Sequence, residues 1–123
     1  MKITTFNPQI VTQDAEPVIK LFEELGFEKR HAQEGIGEAN VLGIRMKDAN
    51  GFALDISETE ALPAQDEIAI RINVDNFDEA YEVLKAHGFI NYYGDHVIDT
   101  KTAKSAMMIS QSGFAVNLIE HIK

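Results

Sequence analysis

The chain repeats a set of residues at a fixed interval, and this duplication restricts its possible folds more than any other feature. The dipeptide Gly26-Phe27 recurs as Gly88-Phe89, an interval of 88 − 26 = 62 residues. The tripeptide Gly51-Phe52-Ala53 recurs at the same interval as Gly113-Phe114-Ala115. No gap is needed between the two sets of matches. The pattern therefore indicates two copies of one structural unit, fused in tandem.

Each copy is predicted to contain one amphipathic helix. The first helix should begin after Asp14, a good N-cap, and end before Gly26, which suits the left-handed residue after a helix. The second should begin after Asn76 and end before Gly88. Apolar residues recur at helical spacing in both segments: Val18, Leu21, Phe22 and Leu25 in the first, and Ala80, Val83 and Leu84 in the second.

The other segments are predicted to be strands, so that each copy has the order β-α-β-β-β. We expect an α+β fold forming one domain over residues 1–123, with modules 1–58 and 67–121 joined by a linker at 59–66, where Pro63 would end a strand. The stretch 94–104 is predicted to be the longest loop. The strands are expected near residues 2–12, 27–33, 39–47 and 51–58 in the first module, and 67–74, 89–93, 104–110 and 113–121 in the second.

Composition excludes several functional classes. A net charge of −9 argues against binding of nucleic acid, because phosphates are neutralised by clustered Lys and Arg. The absence of cysteine excludes disulfides, thiolate metal sites and Cys nucleophiles. No apolar run is long enough to span a bilayer, and the first residues lack the apolar core of a signal peptide. We therefore expect a cytoplasmic location without membrane association.

Alternation along the strands sorts their residues into a core face and a mixed polar face. The predicted core rows are Phe6, Pro8, Ile10 and Thr12; Phe52, Leu54 and Ile56; Ile68, Ile70, Ile72 and Val74; and Phe114, Val116 and Leu118. The opposite face is predicted to carry Asn7, Gln9, Asp55, Ala69, Arg71, Asn73 and Asn117. If the two sheets curve towards each other, these residues line a shared cup; alternatively they form a solvated sheet face.

The duplicated βαβββ unit, with Leu25-Gly26-Phe27 after the first helix and Ser112-Gly113-Phe114 before the last strand, resembles the vicinal oxygen chelate superfamily. This superfamily includes glyoxalase I, bleomycin-resistance proteins and extradiol dioxygenases. The resemblance covers essentially the whole chain. It implies two modules with curved sheets around a ligand cavity, commonly in a homodimer.

In metal-using members, the resemblance implies one metal ligand in the first strand and one in the last strand of each module. The corresponding positions here are Asn7, Asp55, Ala69 and Asn117. Alanine cannot coordinate a metal, amides are poor ligands for transition metals, and Asp55 alone is a conventional ligand. We therefore expect neither a metal nor another cofactor.

Arg71 is the leading candidate to anchor an anionic ligand, because a guanidinium binds carboxylate or phosphate through two parallel hydrogen bonds. An ion pair of Arg71 with Asp55 is the alternative. The full predicted ligand-binding set is Asn7, Gln9, Asp55, Arg71, Asn73, Tyr92, Met108 and Asn117, in which Tyr92 and Met108 would supply the apolar wall.

The expected function is metal-independent binding of a small molecule in the cup, an anionic one if Arg71 is its anchor. One alternative is a lyase-like or dioxygenase-like enzyme with Asp55 as general base or with an atypical metal site. Another is an interaction module whose sheet faces serve dimerisation. Sequence leaves open whether the protein is an enzyme.

Overall fold

The computed structural model describes residues 1–36, 41–59 and 65–121 of the chain. Two helices and nine strands lie within these ranges. In chain order they are β1 (Ile3–Thr12), α1 (Ala15–Glu24), β2 (Glu28–Ile36), β3 (Val41–Lys47), β4 (Ala53–Glu58), β5 (Glu67–Val74), α2 (Phe77–Ala86), β6 (Ile90–Asn91), β7 (Ile98–Asp99), β8 (Ala103–Ile109) and β9 (Ala115–His121).

The chain divides into two compact units. The first unit is Asn7–Ile68, and the second unit is Met1–Phe6 together with Ala69–Lys123. A hydrogen bond from the Lys2 backbone N–H to the Asp75 carboxylate, at 2.6 Å, joins the chain start to the second unit. In the first unit the strand order is β2-β3-β4-β1, and in the second it is β5-β9-β8-β6, with β7 also on β8.

The two units are built alike, as the repeat predicts. In each, the first strand pairs in parallel with the last: Gln9 lies opposite Asp55 in β1 and β4, and Arg71 opposite Asn117 in β5 and β9. The other sheet pairings within each unit are antiparallel. The fold is thus α+β with two βαβββ modules.

One helix packs on one face of each sheet, and the buried core lies between them. Met46 and Met108, which are related by the repeat, both have 0% of their surface exposed. Around Met46 the core includes Ala15, Ile19, Ile44, Leu54 and Ile56, and around Met108 it includes Val74, Phe77, Ala80, Ala106, Val116 and Leu118. We call the side of each sheet that the helix covers the helix face, and the other side the opposite face.

The helix ends confirm the predicted capping residues. The Asp14 carboxylate accepts a hydrogen bond from the backbone N–H of Glu16, and the Asn76 side-chain carbonyl accepts one from Glu79. Gly26 and Gly88 follow the helices with φ of 105° and 89°. Residues with a Cβ rarely adopt this left-handed conformation, which explains a glycine at both places.

A second helix-start contact is repeated as well. The Glu58 carboxylate accepts a 2.7 Å hydrogen bond from the backbone N–H of Ala15, and the Glu120 carboxylate accepts a 2.6 Å bond from Phe77. Each glutamate comes from the last strand of its unit and binds the first residue of the helix. These carboxylates thereby satisfy an N–H that has no partner within the helix and complement the positive end of its dipole.

Four large hydrophobic residues assigned to the core rows are exposed instead. Phe6, Phe52, Ile68 and Phe114 have 61%, 67%, 73% and 51% of their surface exposed. Pro8, from the same predicted rows, is exposed as well. Phe52 precedes β4 in a turn, where its backbone N–H donates to the Asp48 carboxylate at 2.9 Å. The strand alternation that assigned it to the core therefore does not extend to this residue.

The stretch 94–104 is more structured than a loop. It contains β7, in which Ile98 and Asp99 pair with Ser105 and Lys104 of β8. The buried Asn91 side chain also donates a 2.8 Å hydrogen bond to the carbonyl of His96. A two-residue strand is too short to produce a periodic sequence pattern. Of the predicted linker, residues 60–64 lie outside the described ranges.

In the described part of the chain, neither helix has the length and apolar composition that crossing a membrane requires.

The glutamate contacts predict a matched pair of stability losses. Glu58→Ala and Glu120→Ala should each lower the free energy of unfolding by about 1–2 kcal/mol, because each leaves a partly buried helix N–H without its charged acceptor. Urea unfolding followed by circular dichroism measures the loss. Glu24→Ala, on the exposed end of α1, is the control and should change stability by less than about 0.5 kcal/mol. Losses no larger than that of the control would show that these contacts do not stabilise the helices.

Candidate functional site

Asp55 lies at the centre of the opposite face in the first unit. On β4 it is flanked by Gln9 of β1 on one side and by Arg45 of β3 on the other. Asp55 and Gln9 each have 2% of their surface exposed. A carboxylate buried to this degree requires compensating partners, since an unpaired buried charge is costly.

The partners of Asp55 are a guanidinium and an amide. Arg45 Nε donates to Asp55 Oδ1 at 2.9 Å, and Arg45 Nη2 donates to Oδ2 at 3.4 Å. Asn7 Nδ2 donates to the same Oδ2 at 2.9 Å. The neighbouring Gln9 side chain donates to the Ser57 hydroxyl at 2.8 Å. Both oxygens of the carboxylate thus accept hydrogen bonds, and its charge is balanced within one sheet.

Sequence reasoning missed Arg45. Its position in the repeat corresponds to Met107, so duplication gave no indication of a charge there. The alternation of side chains along β3 is the signal that could have found it. Met46 belongs to the core, so Arg45 must project from the opposite face, next to Asp55 in the adjoining strand.

These residues do not fit a metal ion of the type implied by the resemblance. Of the four implied ligand positions, Asp55 alone carries a carboxylate, and the Arg45 guanidinium already binds both of its oxygens. A divalent cation at Asp55 would have to displace that guanidinium or sit beside its positive charge. Ala69 supplies no donor atom. Among the described residues, no group of three or more His, Asp or Glu side chains is arranged to hold a metal.

In the second unit, Arg71 occupies the position that corresponds to Gln9. Arg71 Nε donates a 3.2 Å hydrogen bond to Asn73 Oδ1, on the same face of β5. Asn117 lies opposite Arg71 on β9, and Met107 lies opposite Asn117 on β8. The backbone N–H of Tyr92 donates to the Met107 carbonyl at 2.7 Å and so extends this line beyond β6. Arg71, Asn117, Met107 and Tyr92 therefore form one row across the opposite face.

A second row lies next to the first. Ala69 of β5 is opposite Ala115 of β9, Ile109 of β8 is opposite Ala115, and Ile90 of β6 is opposite Ile109. Every side chain of this row is a hydrocarbon. None of the eight residues in the two rows is acidic, so Arg71 supplies their only charge.

Met108 is the one predicted ligand-binding residue that we remove from the set. It has no exposed surface and belongs to the core beneath α2, because alternation along β8 turns it to the helix face. Its neighbour Met107 takes its place on the opposite face. Tyr92 is 41% exposed, with its ring 4.9 Å from that of Tyr93.

Three polar residues of the opposite faces are buried. Gln9, Asp55 and Asn73 have 2%, 2% and 5% of their surface exposed, so the alternative of a water-covered sheet face is wrong for them. Within the first unit the structure brings together Asn7, Gln9 and Asp55, and within the second it brings together Arg71, Asn73 and Asn117. The shared cup and the Arg71–Asp55 ion pair stay predictions.

Comparison with solved structures identifies the fold. Methylmalonyl-CoA epimerase from Mycobacterium tuberculosis matches with a TM-score of 0.69 at 12% identity, covering 98% of this chain and 90% of that one. A Streptomyces coelicolor methylmalonyl-CoA epimerase matches with a TM-score of 0.68 at 14% identity, covering 99% and 100%. A glyoxalase/bleomycin resistance protein/dioxygenase superfamily member from Vibrio splendidus 12B01 matches with a TM-score of 0.62 at 13% identity, covering 97% of this chain and 99% of that one.

The chain has the vicinal oxygen chelate fold. At these identities the likeness establishes the fold alone, because proteins with one fold carry out many different activities. The sequence itself matches no protein-family model and no curated protein. Function on this vicinal oxygen chelate scaffold has to be argued from the residues of the two opposite faces.

The ion pair on the first of these faces yields a stability prediction. Arg45→Met leaves Asp55 buried without its cation and should lower the free energy of unfolding by about 2–3 kcal/mol, somewhat below the cost for a fully buried pair because Arg45 is 30% exposed. The double variant Arg45→Met/Asp55→Asn should recover most of this loss, because no unpaired charge remains. Urea unfolding again provides the measurement.

Arg30→Met is the matched control, since it removes the same charge from a side chain 54% exposed to solvent. It should change stability by less than about 0.5 kcal/mol. If Arg45→Met behaves like Arg30→Met, or if the double variant is no more stable than Arg45→Met, the pair does not compensate the Asp55 charge.

Proposed function

We propose that this protein binds a small anionic molecule without a metal ion, and that Arg71 anchors the anionic group. The observation that carries the proposal is the row Arg71–Asn117–Met107–Tyr92, in which one guanidinium lies among amide and apolar side chains. A guanidinium has five N–H donors in a rigid plane, and Asn73 accepts one of them. A planar guanidinium suits the two oxygens of a carboxylate or phosphate, with the Asn117 side-chain amide on the neighbouring strand as a second polar contact.

The polar group of the first unit supports the metal-free part of the proposal. Metal-dependent members need donor atoms at Asn7, Asp55, Ala69 and Asn117, and here the one carboxylate is bound by Arg45. A protein that used a metal at this place would benefit from an unpaired carboxylate and a donor at residue 69. This chain has neither feature, because Arg45 binds the Asp55 carboxylate and residue 69 is an alanine.

The structural neighbours are consistent with an anionic ligand. The Streptomyces coelicolor epimerase was solved in complex with 2-nitronate-propionyl-CoA, a ligand that carries an anionic nitronate. We take from this only that the scaffold accommodates such groups, and we transfer neither the epimerase reaction nor the CoA moiety to this chain.

An enzyme with Asp55 as general base is the less favoured alternative. A general base needs a lone pair directed at the proton that it removes. Both Asp55 oxygens instead accept hydrogen bonds from Arg45 and Asn7 within the first unit. We also propose a homodimer, as the resemblance implies, and a cytoplasmic location.

Nuclear magnetic resonance titration tests the proposal, because it detects weak binding and reports its place. Acetate, methylmalonate and inorganic phosphate are added separately to isotope-labelled protein in EDTA. We expect at least one of these anions to shift the Arg71 Nε–H and Asn117 side-chain amide signals saturably. The same anion should leave Arg71→Met unshifted, while Arg30→Met, with the same change in net charge, responds like the unaltered protein.

Two results would contradict the proposal. The first is no saturable shift at Arg71 and Asn117 with any of the three anions. The second is an equal response in Arg71→Met, which would place the anion elsewhere. If binding appears only after a divalent metal replaces EDTA, the metal-free part of the proposal is wrong.

A further inference from the structure

The opposite face of the second unit is polar at one end and apolar at the other. Arg71 and Asn117 lie on the paired strands β5 and β9. Met107 and Ile109 lie on β8, and Ile90 on β6 beyond it. The side-chain character therefore changes from cationic to hydrocarbon along the direction that crosses the strands.

The apolar end is also the exposed end. Ile90 has 68% and Tyr92 41% of their surface exposed, whereas Ala69 and Ala115, near Arg71, have 2% and 6%. Adjacent strands lie about 4.8 Å apart, so the outer apolar residues begin roughly 10 Å from Arg71. Water-exposed isoleucine and tyrosine side chains at this distance from a cation can cover the hydrocarbon part of a ligand whose charged end binds that cation.

We propose that the ligand is an amphipathic carboxylate. Its carboxylate binds Arg71, and its hydrocarbon chain or ring runs across Asn117 to Met107, Ile109 and Ile90. This inference rests on the proposed function, since it assigns the chemical class of the molecule that Arg71 anchors. It adds that affinity comes largely from β8 and β6, which a purely polar anion would not touch.

A series of linear carboxylates distinguishes an amphipathic ligand from a purely polar anion. Acetate, butyrate, hexanoate and octanoate are titrated into the protein in EDTA, with affinities from calorimetry or from the Arg71 Nε–H shift. Each methylene that leaves water is worth about a four-fold gain in affinity when fully buried. On a half-open sheet face we expect about two- to four-fold per methylene, and so a gain of tens-fold or more from acetate to octanoate.

Single-residue variants test where the hydrocarbon chain of the ligand binds. Ile90→Ser and Met107→Ser should reduce the affinity for octanoate several-fold more than they reduce the affinity for acetate. Arg71→Met should weaken every member of the series. Val83→Ser is the matched control, because Val83 is an exposed aliphatic residue of α2, away from this face, with 44% of its surface exposed. It should alter neither the affinities nor their dependence on chain length.

The outcomes distinguish failure of this inference from failure of the proposed function. If acetate binds through Arg71 and octanoate binds no more tightly, the inference of an amphipathic ligand is wrong, whereas the proposal of anion binding at Arg71 is retained. If the gain with chain length persists in both Ile90→Ser and Met107→Ser, the hydrocarbon lies elsewhere and the inference is overturned. If no carboxylate shifts the Arg71 Nε–H signal, both this inference and the proposed function are wrong.

Light scattering on the same variants tests the competing occupant, a second copy of this chain. We expect Ile90→Ser to keep the oligomeric state of the unaltered protein. If Ile90→Ser instead dissociates an oligomer and leaves octanoate binding unchanged, the apolar end of the face is a subunit contact, and the inference is overturned.

Discussion

The parallel pairing of the first and last strands in each unit is the constraint on which the rest of the structure depends. Parallel neighbours need a long crossover connection, and here that connection contains the helix and the intervening strands, two in the first unit and three in the second. The helix covers one face of the sheet and buries a methionine-centred core. The other face is left for residues of different chemistry. Glu58 and Glu120 tie the end of the last strand to the start of the helix, so the same pairing also fixes the helix position.

The two opposite faces show how a duplicated scaffold diverges. The row Gln9–Asp55–Arg45 corresponds to the row Arg71–Asn117–Met107, position by position. In the first unit the charge lies in a carboxylate that a guanidinium on the next strand neutralises. In the second unit the guanidinium is on the first strand, and a thioether stands where the first unit has its arginine. The row in the first unit therefore contains both an acid and a base, and the row in the second unit combines a cation with an amide and a thioether. The proposed anion binding by Arg71 rests on this difference between the rows.

Much of this arrangement could be predicted from sequence because the duplication constrains both halves at once. The helix caps at Asp14 and Asn76, the equivalence of Met46 and Met108, and the common face of Arg71, Asn73 and Asn117 all follow from interval and alternation. Three features of the structure were not predicted from the repeat interval and the strand alternation. Arg45 corresponds to an apolar residue, β7 is too short for periodicity, and Phe52 falls in a turn where alternation stops applying. The first of these matters most for function, because it concerns which cation faces Asp55.

The central claim is that the Arg45 guanidinium, and not a metal ion, balances Asp55 in this chain, which has the vicinal oxygen chelate fold. The most direct test is the metal content of untagged protein, measured by elemental mass spectrometry after growth in medium supplemented with nickel, zinc, iron and manganese. The account predicts metal far below one ion per chain, at the same level in the unaltered protein and in Asp55→Ala. Near-stoichiometric metal in the unaltered protein that is lost in Asp55→Ala would contradict it.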